Sequence, residues 1–377
     1  MSKFDTEAIL AAAQSAAKTA ETGDSSTDLL RPATAARRAA DSPIDLTTSY
    51  LGLELRNPLV ASAGPLSQSV DGVLELADAG VGAVVLFSLF EEQIRIEQMR
   101  NEFLVEAHQE SFAEALTYFP VESPRSDYTT HYLQLIEAAA AAIDVPLIAS
   151  LNGSSRGGWT GLARQMADAG ASAIELNIYF VPGDLITPGA EVEARHVEIL
   201  QDVKSCVDVP VSVKLSPYFS STGAMIKELD EAGADGFVLF NRFLQPDVNV
   251  ETGAVESGLE LSVPFEGRLP RTWIASLYGK VNASLAGTSG VETSEDVIKY
   301  LLAGADVVMS TSALVRHGRG YAVELIAGLE DYLRRTGLSL DALRGMLAEP
   351  EVDDANAYAR SGYIAALEKA KQRYGRI

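Results

Sequence analysis

AGTSGVETSEDVIKYLLAGADVVMSTSAL, which runs from Ala286 to Leu314, contains the repeating unit that decides the fold. A short apolar run ends at Ala286, and a turn rich in glycine and hydroxyl residues leads into a segment of helical composition that begins near Thr293. The pair Ala303-Gly304 closes that segment, and a second apolar run follows it. Glycine supplies the left-handed backbone that stops a helix, and alanine lets helix and strand approach closely. The stretch therefore predicts a strand, a helix and a strand in succession.

The same unit recurs along the chain. Ala-Gly pairs also close helical segments at 79–80, 169–170 and 232–233, each a few residues before an apolar run. The predicted strands are Leu59 to Ala63, Ala83 to Phe87, Pro146 to Leu151, Ala173 to Ile178, Val211 to Leu215, Gly236 to Phe240, Ser284 to Ala286 and Asp306 to Met309. Eight strands alternating with helices predict an α/β fold, the closed (β/α)8 TIM barrel. A doubly wound open sheet is the alternative, but it usually has fewer strands and a GxGxxG turn after the first, which the sequence lacks.

Three regions are expected along the chain. Residues 1–43 are rich in Ala, Ser and Thr and predict a mobile tail or a peripheral helix. The barrel domain is expected over residues 44–336, and its first residues, Ile44 to Arg56, predict an N-terminal hairpin that closes one end of the barrel. Residues 337–377 predict a C-terminal helical extension that packs outside the barrel or on a neighbouring subunit. Within the barrel, the long connections Leu89 to Tyr128 and Asn241 to Arg271 follow strand carboxyl ends and predict lids or pocket walls.

Composition excludes several classes of partner. The chain of 377 residues has a net charge of −22, which disfavours nucleic acid and anionic membranes as partners. Its apolar runs fall far below the roughly 18 to 20 residues that a membrane span needs. One cysteine, Cys206, and four scattered histidines predict no metal site. Without a secretory or transit pattern at the amino terminus, a cytoplasmic protein is expected.

Polar side chains stand at the ends of several predicted strands. Asn152 and Asn177 end the third and fourth strands, where an amide can donate and accept hydrogen bonds to a planar ligand. Lys214 lies inside the apolar fifth strand, which predicts an anionic or electron-rich partner, although a lysine snorkelling from the strand end is an alternative. Asn241-Arg242 follow the sixth strand and would suit a carboxylate or a polar heterocycle. A turn-forming asparagine with a solvated arginine is the structural alternative.

Two turns near the carboxyl end of the barrel predict a phosphate site. Gly287 to Val291 and Met309 to Ala313 are rich in glycine and hydroxyl residues, and each precedes a helix. In barrels, the loops after strands seven and eight often bind phosphate. Ordinary capping of two helices is the alternative.

Taken together, these strand ends resemble the dihydroorotate dehydrogenase family of FMN-dependent barrels. The resemblance rests on NPLVASAGP at the first strand, ELN at the fourth, VKLSPYF at the fifth, FNR at the sixth and the opening stretch over the last two. It extends from about Ile44 to Gly320 and is closer to the cytosolic class than to the membrane-associated, quinone-using class.

The resemblance implies a set of ligand contacts. Residues expected at the isoalloxazine ring or ribityl chain of FMN are Ala61, Ser62, Asn152, Asn177 and Lys214. Those expected at its phosphate are Ser289, Gly290, Thr311 and Ser312. Substrate contacts are expected from Asn177, Asn241 and Arg242. A cation such as Lys214 at the edge of the ring stabilises negative charge on the reduced flavin.

The sequence also departs from the family. The cytosolic class has a cysteine base after the ELN motif, where this chain reads Tyr179-Phe180, and a second lysine after strand two is missing as well. Tyr179 and Ser123 are the candidate replacements, although a hydroxyl at its free pKa is a poor base without an activating partner.

Three functional hypotheses follow. The first is an FMN-dependent oxidoreductase that oxidises the CH–CH bond of dihydroorotate or a related dihydropyrimidine in pyrimidine biosynthesis. Its partner would be this small-molecule substrate, and the acidic surface and C-terminal helices are compatible with a homodimer. The second is a catalytically altered flavin- or phosphate-binding barrel that serves as a regulatory or complex subunit. The third is a phosphate-binding isomerase or aldolase with Lys214 as a Schiff-base or acid/base residue.

Overall fold

The computed structural model describes residues 44–97, 99, 128–153, 155, 159–180, 182–242, 246–256, 258, 260–350 and 355–375. The predicted tail at residues 1–43, Ser123 and most of the connection from Leu89 to Tyr128 lie outside the described residues. The described residues group into two compact units, one formed by 44–334 and 338–348 and the other by 335–337, 349–350 and 355–375.

Twelve strands are found in the described residues. Their bounds are β1 Thr48–Tyr50, β2 Leu53–Leu55, β3 Leu59–Ala61, β4 Ala83–Phe90, β5 Leu147–Gly153, β6 Ala173–Ile178, β7 Val211–Leu215, β8 Gly236–Leu239, β9 Asp247–Asn249, β10 Ala254–Glu256, β11 Ser284–Gly287 and β12 Val307–Ser310. Eight of them close into a parallel barrel in the order β3-β4-β5-β6-β7-β8-β11-β12. The eight predicted strands and the TIM barrel are therefore confirmed.

The helices fall between the strands, as the alternation predicts. Their bounds are α1 Val70–Asp78, α2 Tyr128–Ala142, α3 Trp159–Asp168, α4 Gly189–Lys204, α5 Thr222–Glu231, α6 Arg268–Leu277, α7 Ser294–Ala303, α8 Ser312–His317, α9 Tyr321–Thr336, α10 Leu340–Leu343 and α11 Ala355–Tyr374. The glycine of each Ala-Gly pair has a positive φ, from 95° at Gly80 to 114° at Gly304. That left-handed conformation ends the helix and turns the chain into the next strand.

The predicted N-terminal hairpin is β1 paired with β2, and it closes the amino-terminal end of the barrel. Leu51 and Gly52 form the turn with φ values of 56° and 74°, the left-handed pair of a tight hairpin turn. Tyr50, Leu51 and Leu55 are buried among the inward-facing residues of the barrel strands. Gly236 has no room for a side chain, because an added Cβ would lie 2.4 Å from Leu51 Cδ2. The hairpin thus acts as a plug that fills one end of the barrel.

The predicted C-terminal extension contains two helices, α10 and α11, among its described residues. Leu340 and Leu343 of α10 are buried in the barrel unit, and the Gly345 N–H donates to the Leu301 carbonyl at 2.9 Å. Residues 338–348 therefore pack with the barrel, whereas α11 belongs to the second unit. None of the helices in the described part of the chain is long and apolar enough to cross a membrane.

Candidate functional site

Three predicted site residues occupy one level at the carboxyl-terminal end of the barrel. Asn152 on β5 pairs in register with Asn177 on β6, which pairs with Lys214 on β7. Residues at the same level of neighbouring strands point to the same side of the sheet, and all three side chains are buried. Parallel pairing thus brings together three residues that are far apart in sequence.

Lys214 reaches two partners inside the barrel. Its Nζ donates to Ser62 Oγ at 3.5 Å and lies 3.6 Å from Glu175 Oε1. Lys214 is 7% exposed and Glu175 is fully buried, so the ion pair is shielded from solvent. The predicted anionic partner of the strand-five lysine is therefore present within the protein. An ammonium group has three donors, and these two long contacts leave it able to bind an electron-rich ligand.

The role of Glu175 was missed by the sequence interpretation. Glu175 stands two residues before Asn177 on β6, and the period-two alternation of a strand turns both side chains into the barrel. A carboxylate on the inner face of an apolar strand, beside a strand with a buried lysine, was the signal that could have found the pair. Its Oε1 also accepts from Ser150 Oγ at 3.4 Å, and Ser150 Oγ lies 2.8 Å from Ser88 Oγ.

The two amides predicted to bind substrate meet each other. Asn241 Nδ2 donates to Asn177 Oδ1 at 2.7 Å, and the Arg242 backbone N–H donates to Asn241 Oδ1 at 2.9 Å. The Arg242 guanidinium turns to Glu266, 3.1 Å away, and to the Glu260 carbonyl. Asn177 and Asn241 thus form a joint hydrogen-bonding edge, while the Arg242 side chain already has an acidic partner.

The turn predicted to bind phosphate after β11 has a constrained backbone. Ser289 and Gly290 have φ values of 77° and 64°, and a left-handed serine is a conformation that the surrounding structure must hold in place. Tyr300 on α7 holds it, since its hydroxyl lies 2.7 Å from both the Thr288 and Ser289 carbonyls. Gly287 leaves room for that tyrosine ring, because an added Cβ would lie 2.2 Å from ring atom Cδ1.

Ser262 joins the two predicted phosphate turns, and the sequence interpretation did not identify it. Its hydroxyl accepts from the Gly290 N–H at 3.1 Å and donates to Ser312 Oγ at 2.9 Å. The Ser262 N–H also donates to Ser312 Oγ at 3.0 Å. Thr311 instead contacts the residue that follows β3, because its hydroxyl donates to the Ser62 carbonyl at 2.9 Å. The residues after β3, β11 and β12 are thereby fixed relative to one another.

Helix capping accounts for part of this region. Thr293 caps α7 together with Asp296, whose Oδ2 accepts from both the Thr293 N–H and the Thr293 hydroxyl. This confirms the capping alternative at Thr293 but leaves the left-handed turn at Ser289 and Gly290 without a role in that cap.

The side chain of Ala61 faces the outer core, so only its backbone faces the site.

A cleft of about 310 Å³ opens beside Asn241. It lies at the lower end of the size range of ligand pockets. Its walls include Tyr218, Phe240 and Arg242 after β7 and β8, Ser289 after β11, and Arg268 at the start of α6. The cleft therefore offers a small space next to the Asn241 amide, which is hydrogen-bonded to Asn177.

The candidate proton acceptor Tyr179 directly follows β6 and is 36% exposed, and its N–H donates to the Gly153 carbonyl at 3.1 Å. Cys206 lies in the turn between α4 and β7, at the opposite end of the barrel from Tyr179, and burial raises the pKa of its thiol. Among the described residues, no cluster of His, Cys, Asp or Glu could hold a metal ion.

A (β/α)8 barrel with a buried lysine, two amides and two hydroxyl-rich turns at the carboxyl ends of its strands has the architecture of a barrel enzyme. The chain belongs to the dihydroorotate dehydrogenase family, a family of oxidoreductases, whose model matches residues 45–333.

Individual relatives are similar over nearly their whole length. The catalytic subunit of dihydroorotate dehydrogenase B (NAD(+)) from Methanothermobacter thermautotrophicus is 27% identical over 312 residues, covering 80% of this chain and 98% of the relative. The protein of the same name from Thermoplasma acidophilum is 25% identical over 294 residues, covering 77% and 94%. That from Methanocella arvoryzae is 28% identical over 306 residues, covering 80% and 97%.

Proposed function

We propose that this protein is an FMN-dependent oxidoreductase that oxidises the CH–CH bond of dihydroorotate or a related dihydropyrimidine. The observation that supports it most strongly is the buried Lys214 ammonium, which has unused donor capacity, contacts Ser62 and stands at the level of Asn177 and Asn152. Buried polar groups need partners, and the edge of a flavin ring has nitrogen and carbonyl acceptors that suit this donor set.

The proposed cofactor contacts divide between two parts of the site. Ser62, Asn152, Asn177 and Lys214, with the Ala61 backbone, would hold the ring and ribityl chain. The turns containing Ser289, Gly290, Thr311 and Ser312 would bind the phosphate, with Ser262 joining them. When bound, FMN would supply the hydride acceptor, N5, and the Lys214 ammonium would stabilise negative charge on the reduced ring.

The proposed substrate contacts lie beside the ring. The Asn177 and Asn241 amides present donors and acceptors to a pyrimidine, and Arg242 would bind its carboxylate after releasing Glu266. We expect the purified protein to be yellow, with flavin absorbance that dihydroorotate bleaches when added anaerobically. Bound flavin that neither dihydroorotate nor other dihydropyrimidines reduce would contradict the proposed substrate. A purified protein without bound flavin would contradict the proposed cofactor.

Tyr179 and Ser123 are proposed as the groups that take the substrate proton in place of the family's cysteine. For Tyr179 we expect Tyr179→Phe to slow flavin reduction by dihydroorotate about 10²-fold, the lower end of the usual contribution of a general base. Stopped-flow absorbance measures that rate, and Tyr363→Phe, at an exposed tyrosine of α11 outside the barrel unit, is the control. Equal rates in Tyr179→Phe and the unaltered protein would remove Tyr179 from the mechanism and leave Ser123 to be tested in the same way.

A second candidate function is favoured by the position of Cys206, far from the site. Without a thiol base, the barrel could bind flavin or phosphate as a regulatory or complex subunit. Bound flavin that no dihydropyrimidine reduces would support this role. A homodimer is part of the first proposal, and light scattering of the purified protein tests it.

A further inference from the structure

We propose that Glu175 is a positioning residue that limits how strongly Lys214 stabilises negative charge on the bound cofactor, and so keeps the reduction potential of the cofactor low. This inference rests on the proposed FMN site. It concerns a residue that would lie beneath the cofactor contacts and act through the lysine.

The geometry makes Glu175 the counter-charge of Lys214. Glu175 Oε1 lies 3.6 Å from Lys214 Nζ, and the carboxylate is fully buried in the barrel interior. Among the described residues, Lys214 is the cation paired with it. Charges at this distance in a solvent-excluded site interact strongly, since neither water nor salt screens them.

The hydrogen-bonding capacity of the Glu175 carboxylate is only partly used within the described part of the protein. Oε2 is buried and has no hydrogen-bond partner among the described residues. A buried carboxylate is costly, and one left half-satisfied is costlier still. If the Glu175 side chain only filled space, an apolar side chain of similar volume would do so at a lower cost in folding free energy.

The negative charge of Glu175 also affects the pKa values of two nearby phenols. The pKa of the Tyr50 hydroxyl and that of the Tyr132 hydroxyl are raised, mainly by burial and additionally by the charge of Glu175. Both phenols are therefore neutral at ordinary pH and add no negative charge to that of Glu175. The polar surroundings of the pair include Ser150 and Ser62, with Ser88 bonded to Ser150, and these hydroxyls add no charge.

Counting charges gives the direction of the effect. Lys214 and Glu175 together are neutral, so two electrons and one proton added to the flavin create a net buried negative charge. In Glu175→Gln the site starts with the lysine charge alone, and the same reduction neutralises it. Reduction is then more favourable, because it removes a buried net charge instead of creating one.

The test is the two-electron midpoint potential of the flavin in the holoenzyme, titrated with dithionite as the electron donor and water as the proton source. For Glu175→Gln we expect at least a tenfold shift of the equilibrium towards reduced flavin, about 30 mV more positive for a two-electron couple. Glu175→Asp keeps the charge and is expected to shift the equilibrium less than threefold. Glu54→Gln, the same substitution on the exposed face of β2, is the matched control and should leave the potential unchanged.

The outcomes separate charge from shape. Glutamine has nearly the size of glutamate, whereas aspartate is shorter, so a packing role would disturb Glu175→Asp at least as much as Glu175→Gln. That pattern, or an unchanged potential in Glu175→Gln, would overturn the inference while leaving the proposed function intact. Absence of flavin from the unaltered protein would instead overturn the proposed function.

A second comparison applies if Glu175→Gln does not fold. Lys214→Met leaves the buried carboxylate unpaired, and adding Glu175→Gln removes that unpaired charge. We expect the double variant to melt at a higher temperature than Lys214→Met, or to be soluble where the single variant is not. A double variant that melts no higher, or does not fold, would show that the carboxylate serves the fold independently of Lys214 and would overturn the proposal.

Discussion

Replacing Lys214 with methionine is expected to slow turnover of dihydroorotate about 10²- to 10³-fold, the usual cost of removing one preorganised group that stabilises developing charge. Lys214 stands at the level of Asn152 and Asn177 and is nearly excluded from solvent, so water cannot replace its charge. Steady-state kinetics with a dye as electron acceptor measures the loss.

The same substitution is expected to lower the free energy of unfolding by about 3–5 kcal/mol, because it leaves Glu175 as an unpaired buried charge. Urea unfolding followed by circular dichroism measures it. Lys227→Met is the matched control, since Lys227 forms an exposed ion pair with Glu231 at 3.3 Å, and such pairs contribute about 0–1 kcal/mol. If Lys214→Met kept both its rate and its stability near those of Lys227→Met, the buried ion pair would have neither role.

Truncating Tyr50 to alanine is expected to lower the free energy of unfolding by about 3–5 kcal/mol, the usual cost of emptying a buried aromatic position. Tyr50 is 0% exposed and fills the amino-terminal end of the barrel together with Leu51 and Leu55. Surrounding strands are held by the closed barrel and cannot collapse into the space. Urea unfolding of the variant measures the effect.

Tyr50→Phe is the matched control for the plug. The Tyr50 hydroxyl is buried near Ser212 but has no hydrogen bond of normal geometry within the described part of the chain. Removing a buried hydroxyl without a partner is expected to be neutral or slightly stabilising. A loss in Tyr50→Phe as large as that in Tyr50→Ala would show that the hydroxyl, and not the ring, is what the barrel needs.

The fold could be predicted from the sequence because its signals are local. An apolar run, a helical segment and an Ala-Gly stop repeat along the chain, and each glycine has the left-handed backbone that the pattern requires. The eight strands alternate with helices, and this count together with the absence of a GxGxxG turn favours a closed barrel over an open sheet. The hairpin from Ile44 to Arg56 was likewise readable from its alternation and its Leu51-Gly52 turn.

The candidate site was predictable in part, for the same reason. Asn152, Asn177, Lys214 and Asn241 stand at strand ends, and parallel strands of a barrel bring their carboxyl ends to one face. Their convergence follows from the fold class, and the structure places the Asn241 amide 2.7 Å from that of Asn177. The roles of Tyr179 and Ser123 stay predictions.

Sequence by itself determined the barrel, its hairpin and the strand ends that face the site, because helix stops and strand alternation depend on neighbouring residues. Tertiary structure decided which polar and charged groups pair with each other. Glu175 pairs with Lys214, Arg242 turns to Glu266, and Ser262 joins Gly290 to Ser312. These partners lie on different strands and loops, so they meet only when closure of the barrel sets the register between strands and the path of the loops.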